Sequence, residues 1–104
     1  MTIATGNVGS SVGNAYVSSG NTAITFMSIC NHTAGNVIAN VYVVPSGSSA
    51  TVSNQVLANL LITAGDTYQM YQAAEKLLLG NGDSVQANAN TANAISTVVS
   101  YTTI

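Results

Sequence analysis

Few side chains in this sequence could do chemistry. The chain has one cysteine and one histidine, Cys30 and His32, and its carboxylates are Asp66, Glu75 and Asp83. A Cys/His pair can form a nucleophile and its base, and residues two apart on an extended strand face the same way. The sequence places no acid beside the pair to orient the imidazole, and no pocket is indicated. We therefore predict no catalytic residue and a protein that is not an enzyme.

The same residues argue against a metal or a cofactor. Asp66 and Asp83 each follow a glycine in a turn, where an aspartate ordinarily accepts backbone N–H groups. Residues 80–83 together with Glu75 lack the regular offsets of oxygen ligands that a calcium loop has. A lone His32 excludes a multi-histidine zinc site within one chain, although a symmetric oligomer could bring copies of it together on an axis. The sequence predicts no metal and no cofactor.

The composition indicates a protein that associates with copies of itself. Formal charge is confined to Asp66, Glu75, Lys76 and Asp83, while hydrophobic residues make up 47% of the 104 residues. A typical soluble domain is about a quarter charged. A surface of Asn, Ser, Thr, Gln and Gly is hydrated but repels a neighbouring copy weakly, so we expect a homo-oligomer. A net charge of −2 with one basic side chain also argues against nucleic acid as a partner.

Two features of the sequence bear on where the protein is made and where it acts. Cys30 has no partner for an intrachain disulfide and lies in an apolar run, where we expect it buried. The first residues have no basic region with a following apolar core, and no run approaches the ~20 apolar residues that cross a bilayer. These features indicate assembly in a cytoplasm and no membrane partner. The low-charge surface resembles that of proteins that face the outside, and a particle assembled in a host cell and then released would satisfy both.

The element that would organise the fold is the C-terminal stretch. It has a short apolar run at residues 77–79, a Gly/Asn turn at 80–83, a strand leaving the turn at 84, and a β-branched last strand at 95–101. We interpret it as a β-hairpin framework to which the other strands are added.

The middle of the chain predicts a second hairpin. Residues 23–30 alternate, with Ile24 and Phe26 on one face and Met27 among the residues on the other. Residues 37–44 alternate again after a polar turn, so the two runs are expected to pair antiparallel.

The next segment is ambiguous. Residues 54–62 fit helical spacing as well as a strand, and the context favours a strand; a tight turn follows at 63–67, and residues 72–76 fit a single helical turn.

The total is about seven short strands, which predicts an all-β, antiparallel β-sandwich, either Ig-like or a small jelly roll. The expected core residues are Ile24, Phe26, Val41, Val43, Leu60, Ile62, Tyr68, Met70, Leu77, Leu79, Val85, Ile95, Val99 and Tyr101.

The first 21 residues differ from the rest. They are rich in Gly, Ser and Asn, and their apolar residues are too sparse to hold a long element, so we predict an extended arm with one short strand at 15–17. The chain then divides into an N-terminal arm, 1–21, and a β-sandwich domain, 22–104. The candidate partner-binding residues of the arm are its larger side chains, Ile3, Val8, Val12, Tyr16 and Val17.

The sandwich region resembles a group of small virion structural proteins of tailed bacteriophages, including those of cyanobacterial viruses. The similar stretches are ITFMSICN at 24–31, VYVVPSG at 41–47, AGDTY at 64–68, KLLLGNGDSVQA at 76–87 and VVSYTTI at 98–104. The sequence differs from that group in having fewer Lys and Glu.

The resemblance implies a β-sandwich located on a virion. The first expectation is a head decoration (cement) protein, often a trimer, that binds the major capsid protein or other virion proteins and clasps a neighbour with an extended terminus. The alternatives are a neck or tail component, a glycan-binding tail or adhesin module in which tyrosines and Asn or Asp line a concave patch, and an ice-binding domain. If residues 1–21 are the clasp, their deletion is expected to abolish attachment while the sandwich still folds.

Overall fold

The chain is built almost entirely of strands. The computed structural model describes residues 2–70 and 76–104. Its strands are β1 (Thr2–Val8), β2 (Gly13–Val17), β3 (Thr22–Asn31), β4 (Val37–Val44), β5 (Gln55–Ile62), β6 (Thr67–Met70), β7 (Leu77–Leu79), β8 (Ser84–Ala89) and β9 (Ile95–Thr103). One turn of 3-10 helix, Val52–Asn54, precedes β5. The all-β prediction is confirmed, including the strand at the ambiguous segment that became β5; the predicted helical turn at 72–76 lies, except for Lys76, outside the described residues.

The strands form two antiparallel sheets with a nested order. Sheet A has the order β1-β9-β3-β6, with β7 also beside β3, and sheet B has the order β2-β8-β4-β5. The first strand thus pairs with the last, the second with β8, β3 with β6 and β7, and β4 with β5. Because β6 and β7 pair with different parts of β3, they act as one interrupted strand. Two four-stranded sheets nested in this way are a jelly roll, one of the two sandwich types expected.

This nesting overturns both predicted hairpins. β3 belongs to sheet A and β4 to sheet B, and the same holds for β7 and β8. The turns at 31–36 and 80–83 therefore carry the chain across from one sheet to the other. Turn-forming residues mark where a strand ends, but they do not specify whether the next strand pairs with it or crosses to the facing sheet. In the described residues, β4 and β5 are the one pair of consecutive strands that form a hairpin.

The inner face of sheet A carries large side chains. Ile24, Met27 and Ile29 of β3 are at most 1% exposed and belong to the main core cluster. A bulge between Ile24 and Phe26 adds a residue to the strand and shifts its alternation. The prediction that Ile24 and Phe26 share a face is therefore wrong, since Ile24 packs with Met27 and Ile29 while Phe26 remains partly exposed.

The inner face of sheet B carries small side chains. Ala39 and Val41 of β4 lie opposite Ala89 and Ala87 of β8, and all four are buried. Small residues leave room for the Ile and Met side chains of the facing sheet, so the two layers interdigitate. The alternation of Ala and Asn along β8 follows from this packing, because the alanines point inward and the asparagines outward.

Most of the predicted core is confirmed. Seven of the expected residues are buried, namely Ile24, Val41, Ile62, Leu79, Val85, Ile95 and Val99. Five more are partly buried against them, namely Val43, Leu60, Met70, Leu77 and Tyr101. The prediction is wrong for Tyr68, which is 40% exposed because β6 is an edge strand with a neighbour on one side only.

The first 21 residues do not have the predicted form of an extended arm. β1 pairs with β9 from Thr2 opposite Tyr101 to Val8 opposite Ile95, and β2 pairs with β8. Each sheet thus takes one edge strand from this segment. The strand expected at 15–17 is confirmed as part of β2. The boundary predicted after residue 21 falls between β2 and β3, and residues on both sides of it share the same two sheets.

Candidate functional site

The groups that could do chemistry are dispersed. Cys30 is partly exposed near the end of β3, contrary to the expectation that it is buried, and His32 is exposed just after the strand. The backbone N–H of His32 donates to the carbonyl of Ala94 over 3.2 Å. Within residues 2–70 and 76–104, no three His, Cys, Asp or Glu side chains gather where they could hold a metal ion.

Asp83 has a structural role of the kind expected for an aspartate in a turn. Its Oδ1 accepts from the backbone N–H of Ser46 over 2.8 Å, and its Oδ2 accepts from the N–H of Gly80 over 2.9 Å. The bond from Ser46, followed by the bond from Gly80, lowers the pKa of this carboxyl because both favour the charged form. Asp66 differs in detail, since its Oδ2 accepts from the hydroxyl of Thr63 over 2.7 Å. These carboxylates hold loops together.

The predicted partner-binding residues of the first segment divide into two groups. Val8 is buried at the end of β1, and Tyr16 stacks on Tyr101 with ring centroids 4.4 Å apart. Both side chains pack within the sandwich. Ile3, Val12 and Val17 are exposed, so they are the members of the set that a partner can reach.

The exposed apolar side chains concentrate at the edges of the sheets. The edges are β1 and the β6/β7 strand in sheet A, and β2 and β5 in sheet B. The large hydrophobic residues that are exposed on these strands, or on the segment leading directly into one, are Ile3, Val12, Val17, Val52, Val56, Leu61, Tyr68 and Leu78. Among the described residues, the large exposed hydrophobics elsewhere are Ile38 in β4 and Ile104 at the C-terminus. This distribution makes the edges the candidate interaction surface.

The edge strands lack charged side chains and prolines, two of the features that usually prevent association. Proteins protect the unpaired N–H and C=O groups of an edge with such residues, with bulges or with a covering element, and here the pairing of β2 and of β5 is irregular. β1, β2, β5, β6 and β7 contain no charged residue and no proline, and Lys76 lies just before β7 rather than in it. The edges therefore present apolar side chains beside open backbone groups.

Two of these edge residues were missed by the sequence interpretation. Leu61 and Leu78 were counted within apolar runs, yet both are more than half exposed. Neighbours along a strand point to opposite faces, so the middle residue of Leu77–Leu79 had to point away from whichever face the outer two share. That rule could have identified Leu78 without a structure.

The tyrosines that could form a sugar-stacking platform are separated. Tyr16 and Tyr101 stack on each other within the sandwich, Tyr42 is partly buried on β4, and Tyr68 lies on the edge strand β6. Tyr71 is outside the described residues. The tyrosines of the described part of the chain thus form no single platform.

Comparison with known proteins adds no relative. No protein-family model matches the chain, and neither a curated protein nor a solved structure is detectably similar to it. Among the described residues there is no helix with the length and apolar character needed to cross a bilayer.

Proposed function

We propose that this chain is a structural protein of a phage virion, namely a capsid decoration protein that binds between capsomers and stabilises the head. The observation that carries the proposal is the concentration of exposed apolar side chains on sheet edges whose strands contain no charged residue and no proline. A protein of this kind works by shape-matched contact, and it needs open edges and apolar side chains where it meets its neighbours.

Two further features support the assignment. The turn-and-strand stretches quoted above resemble those of small virion proteins. The jelly roll is also an architecture found in viral capsid domains, although one fold serves many functions and carries no assignment alone. A neck or tail position is the nearest alternative within the same class.

The expected partners are the major capsid protein and copies of the chain itself, with a trimer as the favoured oligomer. The nested order places β1 and β2 on one side of the sandwich and β5 with β6 and β7 on the other. Each side offers an edge from each sheet. A cyclic trimer would join the first side of one copy to the second side of the next, which is a closed heterologous arrangement.

Deletion of residues 1–21 cannot test attachment, because these residues form part of both sheets. Removing residues 1–21 would take β1 and β2 from the sheets and remove Val8 and Tyr16 from their core contacts. Loss of attachment would then follow from unfolding alone. Single substitutions of exposed edge residues separate attachment from folding.

The experiment uses particles of the phage or prophage whose genome carries the gene. Particles assembled without the chain are incubated with purified protein, and occupancy is measured by quantitative mass spectrometry and cryo-electron microscopy. Wild-type protein is expected to bind the head surface at a fixed ratio to the major capsid protein. Leu61→Lys and Leu78→Lys place a charge on an edge and are expected to reduce affinity at least tenfold, about 1.4 kcal/mol.

The matched control is Ile104→Lys, because Ile104 is as exposed as the edge residues but lies beyond the last strand. It is expected to bind as wild type does. The proposal fails if the chain is absent from purified virions, or if the edge variants and the control bind equally well. Binding confined to the neck or tail would select the alternative.

A further inference from the structure

We propose that the outer face of sheet B carries a binding groove for a neutral saccharide. The groove occupies about 460 Å³ and is lined mainly by four asparagines, Asn40, Asn59, Asn88 and Asn90, with Ile38 beside them. This inference does not depend on a virion location, because it rests on the side chains of the groove alone.

The fold places these amides on one face. Along β8 the alanines point into the core, so Asn88 points outward, and Asn90 follows two residues later on the same face. Asn40 of β4 lies directly opposite Asn88. Asn59 enters from β5 at an irregularity in the pairing with β4, where its φ is 53°. The groove is thus formed by β4, β5 and β8, together with Asn90 just after β8 and Ser10 between β1 and β2.

Two of the amides are oriented by the protein. The Oδ1 of Asn40 accepts from the Nε2 of Gln55 over 2.9 Å and from the backbone N–H of Asn59 over 2.8 Å. The Oδ1 of Asn90 accepts from the backbone N–H of Ile38 over 3.1 Å. Within residues 2–70 and 76–104 no acceptor takes the NH₂ group of either amide. Each therefore has two donors to offer while its oxygen is held in place.

Asn88 is the amide that the protein leaves uncommitted. Its Oδ1 is buried and has no hydrogen-bond partner among the described residues. A buried acceptor without a partner costs about 1–3 kcal/mol, and such an atom in a folded protein calls for an explanation. Asn88 lines the groove, and no acceptor among the described residues takes its NH₂ group, so this amide offers its donors to a ligand there.

The chemistry of the groove selects an uncharged polyol. No charged side chain lines it, so it has nothing to neutralise an anion or a cation. Sugar hydroxyls accept as well as donate hydrogen bonds, which matches the NH₂ groups that the asparagines present. Ile38 and its cross-strand neighbour Leu61 are both exposed and offer an apolar surface to the C–H face of a sugar ring.

A peptide is a poorer match. β4 and β8 are each paired on both sides, so no peptide can add to this face as another strand. Peptide side chains are usually anchored in deep apolar pockets, whereas this groove is open and lined by amides.

The test is a titration of ¹⁵N-labelled protein with maltohexaose, cellohexaose and mannohexaose, with hexagalacturonate as the charged comparator. At least one neutral hexasaccharide is expected to shift the side-chain NH₂ resonances of Asn40, Asn88 and Asn90, with little effect from the charged one. Asn88→Leu is expected to weaken that binding at least tenfold. Because Leu removes an unpaired buried oxygen, its melting temperature should be no lower than that of wild type.

The matched control is Asn7→Leu, the same replacement at an exposed position of β1 in the other sheet, which should bind as wild type does. Ile38→Glu, at an exposed position, places a charge in the groove without touching Asn88 and should also abolish binding. The proposal is overturned if no neutral hexasaccharide shifts the groove resonances, or if both groove variants bind normally.

Discussion

The two Gly-Asp turns of this chain share a backbone arrangement and differ in what supports it. Gly65-Asp66 precedes β6, and Gly82-Asp83 precedes β8. Both glycines have a left-handed backbone, with φ of 77° and 86°. In both turns the aspartate N–H donates to the carbonyl three residues earlier, over 3.0 and 3.1 Å. Each turn also exchanges two backbone hydrogen bonds with the place where the partner strand ends.

The residue at the end of β3 anchors the first turn. Asn31 donates its N–H to the carbonyl of Asp66 and accepts from the N–H of Gly65, each over 2.9 Å. Asn31 is fully buried, and its Nδ2 donates to the carbonyls of Gly35 at 2.7 Å and Ile62 at 2.9 Å. Asn31 therefore bonds the turn through its backbone, and through its side chain it bonds the crossing loop at 31–36 and the end of β5.

The second turn is held by its own loop and by a third segment. Ser18 donates its N–H to the carbonyl of Asp83 over 2.8 Å and accepts from the N–H of Gly82 over 2.9 Å. Within the described part of the chain, the Ser18 hydroxyl bonds only to Gly20 and Thr22, which lie within a few residues of it. The distant support comes from the segment after β4, through the carboxylate of Asp83. The first turn is thus bonded to a strand end that a buried amide fixes in place, whereas the second turn is fixed by its own charged side chain.

The largest expected difference concerns the strand-end residues. Asn31→Ala removes the donors to two carbonyls, and one of these bonds is buried, so we expect a loss of about 2–4 kcal/mol in the free energy of unfolding. Ser18→Ala removes one local hydroxyl and should cost about 1–2 kcal/mol. Urea denaturation measures both. Asn36→Ala, which removes an exposed acceptor on the same crossing loop, is the control and should cost less than 1 kcal/mol. Equal losses at positions 31 and 18 would contradict the distinction.

For substitutions of the two glycines, we expect the larger loss of stability at the second turn. Alanine at either glycine adopts a left-handed conformation that costs about 1–2 kcal/mol. At Gly65 the added Cβ meets nothing within 4 Å, whereas at Gly82 it would lie 2.5 Å from the Ser46 Oγ and 3.0 Å from its Cβ. We therefore expect Gly82→Ala to lose about 1 kcal/mol more than Gly65→Ala, since the loop must shift.

The double variant Gly82→Ala with Ser46→Gly tests the cause of that excess. Removing the Ser46 side chain takes away the atoms that the new Cβ would meet. Most of the extra loss should then be recovered, so that the two glycine positions become alike. An excess that persists would place its origin in the backbone of the turn rather than in the contact with Ser46.

The comparison also shows what the sequence could and could not predict. The turns were recognisable, because Gly-Asp between apolar runs is a turn signal with a physical basis, and the strands followed from alternation. The pairing partners of the strands were not recognisable. Ser18 and Asp83 are far apart in sequence, and nothing in either segment specifies whether β8 pairs with β2 or with β7.

The candidate sites were predictable to a different extent. The Ala/Asn alternation of β8 can be seen in the sequence, and alternation along a strand places the asparagines on one face, but the sequence interpretation did not use it. The groove also includes Asn59, which lies at an irregularity in the pairing of β4 with β5, and no local sequence pattern predicts that irregularity. The exposed edges depend on strand order, so Leu61 could be recognised as an edge residue only after β5 was placed at the rim of sheet B.

The smallest expected effect is electrostatic and concerns Asp83. Its folded-state pKa is lowered, so its contribution to stability is present above the ordinary aspartate pKa of about 3.9 and is lost as pH falls through the folded value. Ser46→Pro removes the N–H that contributes most to this shift, while the turn bond from the Ser48 N–H to the Pro45 carbonyl uses other atoms. We expect a ¹³C NMR titration to place the Asp83 midpoint higher in Ser46→Pro than in wild type, and stability below pH 4 to fall less steeply. Ser46→Ala keeps the N–H and should titrate as wild type does. A common midpoint in all three proteins would mean that the contact between the loop and the second turn does not hold the carboxylate in its charged form.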